Sequence, residues 1–168
     1  MLRLDAPERE ATMTQVRAWA GRMTPHDYDD DQRVMNQDEL REMADHPLMT
    51  LGAHTVTHPV LACLSSADQR REITESRRQL EAFIDRPVTS FAYPFGRPRI
   101  DHTRVTAQLV ADAGYTSACA VFDRALTHRS STLALPRWMP PNVDGEQFRA
   151  MLLARLRPLS LASRVRRT

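Results

Sequence analysis

Residues 51–61, LGAHTVTHPVL, set two of the chain's six histidines, His54 and His58, four positions apart. That separation returns to one face in a helix and also in a strand, so both imidazoles can converge in either geometry. Neutral imidazole is a common zinc ligand, and the chemistry open to such a pair is metal coordination. Thr55, Val56 and Thr57 are β-branched and favour extended backbone, while Pro59 disfavours helix at His58. The expectation is a strand over residues 49–57 that runs into a loop at His58-Pro59, with His54, Val56 and His58 sharing one side. The competing reading is two polar residues at a strand end. The spacing alone is weakly specific, and a catalytic zinc takes three protein ligands beside an open position.

The elements that must position this pair follow from caps and periodicity. Residues 5–20 read as a helix, with Asp5 as N-cap, Pro7 in the first turn and Gly21 as the stop. A polar connection over 22–35 holds Asp27, Asp29, Asp30 and Asp31; their spacing does not match a calcium loop, and they read as a solvated loop. A short helix over 36–44 carries Asn36 and Glu39 in capping-box positions. The clearest helix spans 65–86, capped by Ser65 or Ser66, with Ile73, Leu80, Phe83 and Ile84 at helical spacing. Its Glu72, Glu75 and Glu81 alternate with arginines and read as surface ion pairs. Beyond it come a strand over 88–96 ending at Pro94 and Gly96, a helix over 102–114 and a strand over 115–122. Residues 132–140 read as strand then loop, and 144–156 as a last helix. Strands alternating with helices imply an α/β chain of parallel units, whose ligands sit beyond the C-terminal strand ends. His54/His58, YPFG and LPRW all fall at such ends.

Bulk properties exclude some classes. The 168 residues suit a single domain, 42% of them are hydrophobic and 26% charged, and the net charge of +2 gives no strong pull toward nucleic acid or membrane. All 23 basic residues are arginine. Cys63 and Cys119 form no metal or disulfide framework and are expected as buried thiols. No apolar run is long enough for a membrane span, and charges occupy the place of a signal peptide's apolar region, so the expected compartment is the cytoplasm, unless an export signal lies upstream. The tail RLRPLSLASRVRRT reads as a solvated terminus; the alternative is a nucleic-acid or membrane-surface contact.

GAHTVTHPVL, then a charged helix, then RPVTSFAYPFG, AGYTSA and ALPRW, in this order, resemble the polysaccharide deacetylases of carbohydrate esterase family 4 over about residues 36–155. The resemblance implies a distorted parallel (β/α) barrel and removal of N- or O-acetyl groups from an acetylated glycan with a divalent metal, usually zinc. It implies that His54 and His58 are metal ligands, that Thr55 fills the small-hydroxyl position between them, and that the backbone N–H of Phe95 helps hold the oxyanion. Tyr93, Pro94 and Gly96 of the same motif line the cleft, together with Arg137 and Trp138. The aromatics Tyr93, Phe95 and Trp138 either stack on sugar faces or belong to the core.

The sequence departs from the family at three places. The Thr-Phe-Asp-Asp-Gly motif, which supplies the base and a third ligand, has no counterpart before His54. Ala92 stands where an arginine often orients the base, and Leu135-Pro136-Arg137 stands near the family's Leu-x-His. Arg137 cannot serve as a proton donor at neutral pH; it either stabilises charge or binds an anionic sugar, or it packs or pairs at the surface. The expected organisation is therefore a partial barrel: a helical lead-in over 1–46, β/α units over 47–156 and a basic tail over 157–168. Missing strands leave an open sheet edge, available to a second copy or another chain. A non-catalytic glycan-binding or partner protein that keeps the cleft is the alternative.

Overall fold

The computed structural model describes residues 6–20 and 33–156. Asp5, the acidic run at 27–31 and the basic tail from 157 onward lie outside them. The helices form where cap chemistry and periodicity agree. Helix α1 spans Ala6–Ala20 and α2 spans Gln37–Asp45. The α2 entrance is a complete capping box: Asn36 accepts from the N–H groups of Asp38 and Glu39, and Glu39 accepts from the Asn36 N–H at 2.8 Å. Helix α3, Ser66–Ile84, begins at Ser65, whose hydroxyl accepts from the Asp68 N–H, and closes at Asp85 in the left-handed region.

Strand β1 (Ser90–Ala92) is followed by helix α4 (Arg104–Asp112) and strand β2 (Ser117–Val121). Strand β3 (Leu135–Arg137) and helix α5 (Gly145–Leu156) complete the described elements. The three strands lie parallel in the order β1-β2-β3, with Ala92 opposite Cys119 and Val121 opposite Arg137. This is the expected α/β arrangement of parallel units. Helix α3 packs on both α2 and α4. Phe91, Tyr93, Tyr115, Ile73, Val110 and Leu61 form the centre of the core between the sheet and these helices. Thr106 of α4 donates to Gln69 of α3 at 2.7 Å inside that layer, so this buried polar pair is satisfied.

The expected strand over 49–57 is corrected to a single bridge. Ala53 pairs with Phe91 on the far edge of β1, through Ala53 N–H to Ser90 O and Ala92 N–H to Ala53 O, both at 2.9 Å. Extension stops there because Thr55 (φ 66°) and His58 (φ 54°) turn the chain away from the sheet. The strand expected over 88–96 is likewise shortened to Ser90–Ala92, because Phe95 (φ 58°) and Gly96 (φ 77°) fold back. The thiols are also corrected: Cys63 is exposed and Cys119 half-buried. No described helix is long and apolar enough to cross a membrane.

Candidate metal-ligand and oxyanion site

The site forms at the C-terminal end of the sheet, beside the Ala53 bridge. His54 follows the Ala53 bridge, the turn 93–96 follows β1, and Arg137 ends β3. His54 and His58 are not brought together by strand alternation. The loop between them closes on itself: the Thr55 hydroxyl donates to the His54 carbonyl and accepts from the His58 N–H at 3.1 Å. The two rings meet edge to face, with centroids 4.8 Å apart at 67°.

The His54 tautomer follows from its partner. Its Nδ1 lies 2.7 Å from the Ala92 carbonyl, which can only accept, so Nδ1 carries the proton and Nε2 keeps its lone pair. Partial loss of hydration lowers the His54 pKa, opposed by the Ala92 contact and assisted by the positive charges of His58 and Arg137. The ring remains solvent-exposed, so that loss is incomplete. A neutral imidazole with an outward lone pair fits a divalent cation, and the His58 ring lies beside it, 4.8 Å between centroids. The fit is to two ligands: among the described residues no group of three His, Cys, Asp or Glu side chains could hold one ion.

Phe95 adjoins this pair. Its ring contacts His58 edge to face at 4.8 Å, so the histidines and the 93–96 turn form one continuous rim. The Phe95 N–H has no acceptor among the described residues. The turn around it is held from below: Gly96 N–H donates to the Pro94 carbonyl at 2.6 Å, and Val121 N–H to the Gly96 carbonyl at 2.7 Å. A Cβ on Gly96 would come within 2.9 Å of the Val121 backbone nitrogen, so glycine is required here on two counts, φ and space.

The other cleft residues distribute differently from expectation. Tyr93 is fully buried, its hydroxyl donates to the Leu133 carbonyl at 2.8 Å, and burial raises its pKa. It is a core residue under the turn, and Pro94 and Gly96 are buried beside it. The Thr55 hydroxyl is committed to the loop it closes. Trp138 stacks on Phe148 of α5, with the Arg155 guanidinium 4.2 Å from its ring centre, so it fastens α5 to the end of β3. Arg137 is exposed at the rim, close enough to His54 to influence its proton.

Some supporting residues had no signal in the sequence that marked them for this place. Glu72, read as a surface ion-pair partner, instead accepts from Val56 N–H, Thr57 N–H and the Thr57 hydroxyl. Arg9 of α1 donates to the Thr57 carbonyl at 2.7 Å. Arg97 binds the buried Asp101 through both its guanidinium and its backbone N–H, which lowers the Asp101 pKa. The Asp101 carbonyl accepts from Ala62 N–H at 2.9 Å, tying the segment after His58 to the segment after Gly96. His102, behind the turn, stacks flat on Tyr93 at 3.9 Å.

Comparison with known proteins identifies the family. The polysaccharide deacetylase family profile matches residues 4–118, more than half of the chain. YxkH of Bacillus subtilis (strain 168), a protein described as a candidate polysaccharide deacetylase, is 24% identical over 119 residues, which make up 70% of this chain and 41% of that protein. The Streptococcus pyogenes deacetylase PplD, solved in complex with acetate, matches with a TM-score of 0.65 at 25% identity over 77% of this chain and 54% of its own. A Bacillus cereus polysaccharide deacetylase shares the fold at 22% identity, with a TM-score of 0.55 over 64% of this chain and 33% of its own. The chain thus spans about half or less of the length of these relatives.

Proposed function

The chain belongs to the polysaccharide deacetylase family, and from that premise we propose that it carries the metal-ligand and oxyanion parts of a hydrolase site that removes N- or O-acetyl groups from a glycan, with zinc as the cation. The observation that carries this reading is the rim itself: two imidazoles 4.8 Å apart, the second in contact with Phe95, whose N–H has no acceptor among the described residues. His54 and His58 would hold a divalent ion, which would supply Lewis-acid polarisation of an acetyl carbonyl and a more acidic water. The protein's own groups do the rest. His54 is oriented by Ala92 and His58 by the Thr55 bridge. The Phe95 N–H stands where a preorganised donor can stabilise the oxyanion that forms as water adds to the carbonyl. Arg137 adds positive charge at the same rim, suited to an anionic sugar or to the developing charge. The general base is not assigned to any residue.

A second reading is a glycan-binding or partner protein that keeps the cleft without turnover. The observation that favours it is the two-member donor set among the described residues. One experiment separates the two: zinc titration by calorimetry on the intact chain beside His54→Ala and His58→Ala, followed by acetate release from an acetylated glycan at saturating zinc. The deacetylase reading expects one-to-one binding lost in both variants, and acetate release that depends on zinc. Glycan binding indifferent to zinc, with no acetate released, would establish the second reading.

A further inference from the structure

Two non-glycine residues with positive φ, Thr55 and His58, bracket the loop that brings the histidine rings together. A short loop with two residues in the left-handed region does not hold that shape unaided; something outside it must over-determine the conformation. Glu72 is that group. It lies on α3, beside the fully buried Ile73 that anchors the helix to the core. Its Oε2 accepts from two successive backbone N–H groups, Val56 at 2.8 Å and Thr57 at 2.9 Å, and its Oε1 accepts from the Thr57 hydroxyl at 2.8 Å. Consecutive N–H groups turned toward one carboxylate form a backbone nest, which fits an anion well. Arg71, its neighbour on α3, is paired with Asp68 at 2.8 Å. On the opposite side of the loop, Arg9 takes the Thr57 carbonyl at 2.7 Å and reaches the His58 carbonyl at 3.4 Å. The peptides between the histidines are gripped by an acceptor on α3 and a donor on α1.

We propose that Glu72 is a positioning residue for the histidine pair: its carboxylate fixes the 56–57 peptides so that His54 and His58 face each other before a cation arrives. It touches neither ring and is not a ligand. The consequence for a cation rests on the functional reading given above; the consequence for the ring pair does not. Partners of this kind around metal ligands commonly set affinity over a 10- to 100-fold range.

The test uses the intact chain with Glu72→Met and Glu72→Gln. Methionine keeps the length and helix preference of the side chain but removes every acceptor. Glutamine loses the charge but can still accept both N–H groups through its carbonyl oxygen and donate to the Thr57 hydroxyl. Without metal, proton NMR should show His54–His58 and His58–Phe95 ring contacts in the wild type and in Glu72→Gln. Both contacts should be lost in Glu72→Met, while the Phe91–Tyr115 contact in the core reports an intact fold. Cobalt(II) titration should then show about 10- to 100-fold weaker binding in Glu72→Met, with most of the affinity restored in Glu72→Gln. Ring contacts that persist in Glu72→Met would overturn the inference. Equal losses in both variants would also overturn it, by assigning Glu72 a general charge effect. If the wild type binds no cobalt, the deacetylase reading fails and the ring contacts still decide the role of Glu72. If Glu72→Met does not fold, Thr57→Val removes one of the three donors and should loosen the same ring contacts; contacts unchanged there would count against the proposal.

Discussion

At the scale of single residues, the site concentrates conformations that are costly elsewhere. Thr55, His58 and Phe95 all have positive φ without being glycine, at roughly 1–3 kcal/mol each. These are the residues that form the rim, and their neighbours hold them there. His102 shows another cost. It is buried, its two ring nitrogens reach no hydrogen-bond partner among the described residues, and it stacks on Tyr93. Burial lowers its pKa, and the nearby Gly96 carbonyl and Asp101 offset only part of that. Above about pH 6.5 the ring is neutral in both folded and unfolded chains and contributes nothing to pH dependence. As pH falls through that value toward the lower folded pKa, the unfolded chain gains a proton that the native one does not. Stability should therefore fall, by at most about 1.4 kcal/mol per pH unit. His102→Phe keeps an aromatic ring on Tyr93 and removes the proton, so urea midpoints between pH 7.5 and 5 should decline less than in the wild type. His54, whose pKa is also lowered, accounts for part of the decline that remains. An unchanged decline would remove His102 from this role. The proximity of His54 and His58 was legible from their spacing, but the strand expected from their β-branched neighbours is not what brings them together. Glu72 was not legible, because a glutamate among arginines on a helix looks like an ion pair. What decides otherwise is a loop 15 or 16 residues earlier that comes to lie over it.

At the scale of elements, the helices were readable and the strands only in part. Caps and periodic faces are local, and α2 and α3 begin where Asn36 and Ser65 place them. Strand length depends on whether a neighbour is there to pair, and β-branched composition does not report that. Residues 49–57 have strand composition, yet they pair only at Ala53 because the loop they enter is claimed by Glu72 and Arg9. The turn after β1 shows a backbone requirement that was legible as the motif YPFG, though its cause was not. Gly96 sits against Val121 of β2, so the turn is fixed by a strand 25 residues later. Gly96→Ala combines positive-φ strain with a Cβ contact against backbone that cannot move aside. It should cost roughly 2–4 kcal/mol, read as a fall in the urea midpoint. The strain lies beneath Phe95, so the loss should be accompanied by displacement of the Phe95 ring from His58, visible by NMR. A near-neutral midpoint would mean that the turn relaxes freely and is not fixed by β2.

At the scale of the whole molecule, the sheet has an edge that the local elements do not explain. Ala53 directs its N–H and C=O toward β1, so by alternation the groups of Gly52 point to the opposite side, away from the sheet. No strand pairs there among the described residues. Exposed apolar side chains lie close in sequence, with Leu48 86% and Met49 47% accessible. An unpaired backbone row beside apolar surface is a template for another strand. The expected outcome is association of the chain with itself through this edge, since a second copy presents the same row. Sedimentation velocity over a concentration series should show mass rising with concentration. Thr50→Lys places a charge on the exposed residue that leads into the edge and should shift that rise to higher concentration. The substitution is remote from the core, so unfolding midpoints should stay within about 0.5 kcal/mol of the wild type. A chain that remains monomeric throughout would mean that this edge does not recruit a second copy. If association persists unchanged in Thr50→Lys, another surface is responsible. The exposed face of α5, where Leu152 and Leu153 reach solvent, is then the surface to substitute next.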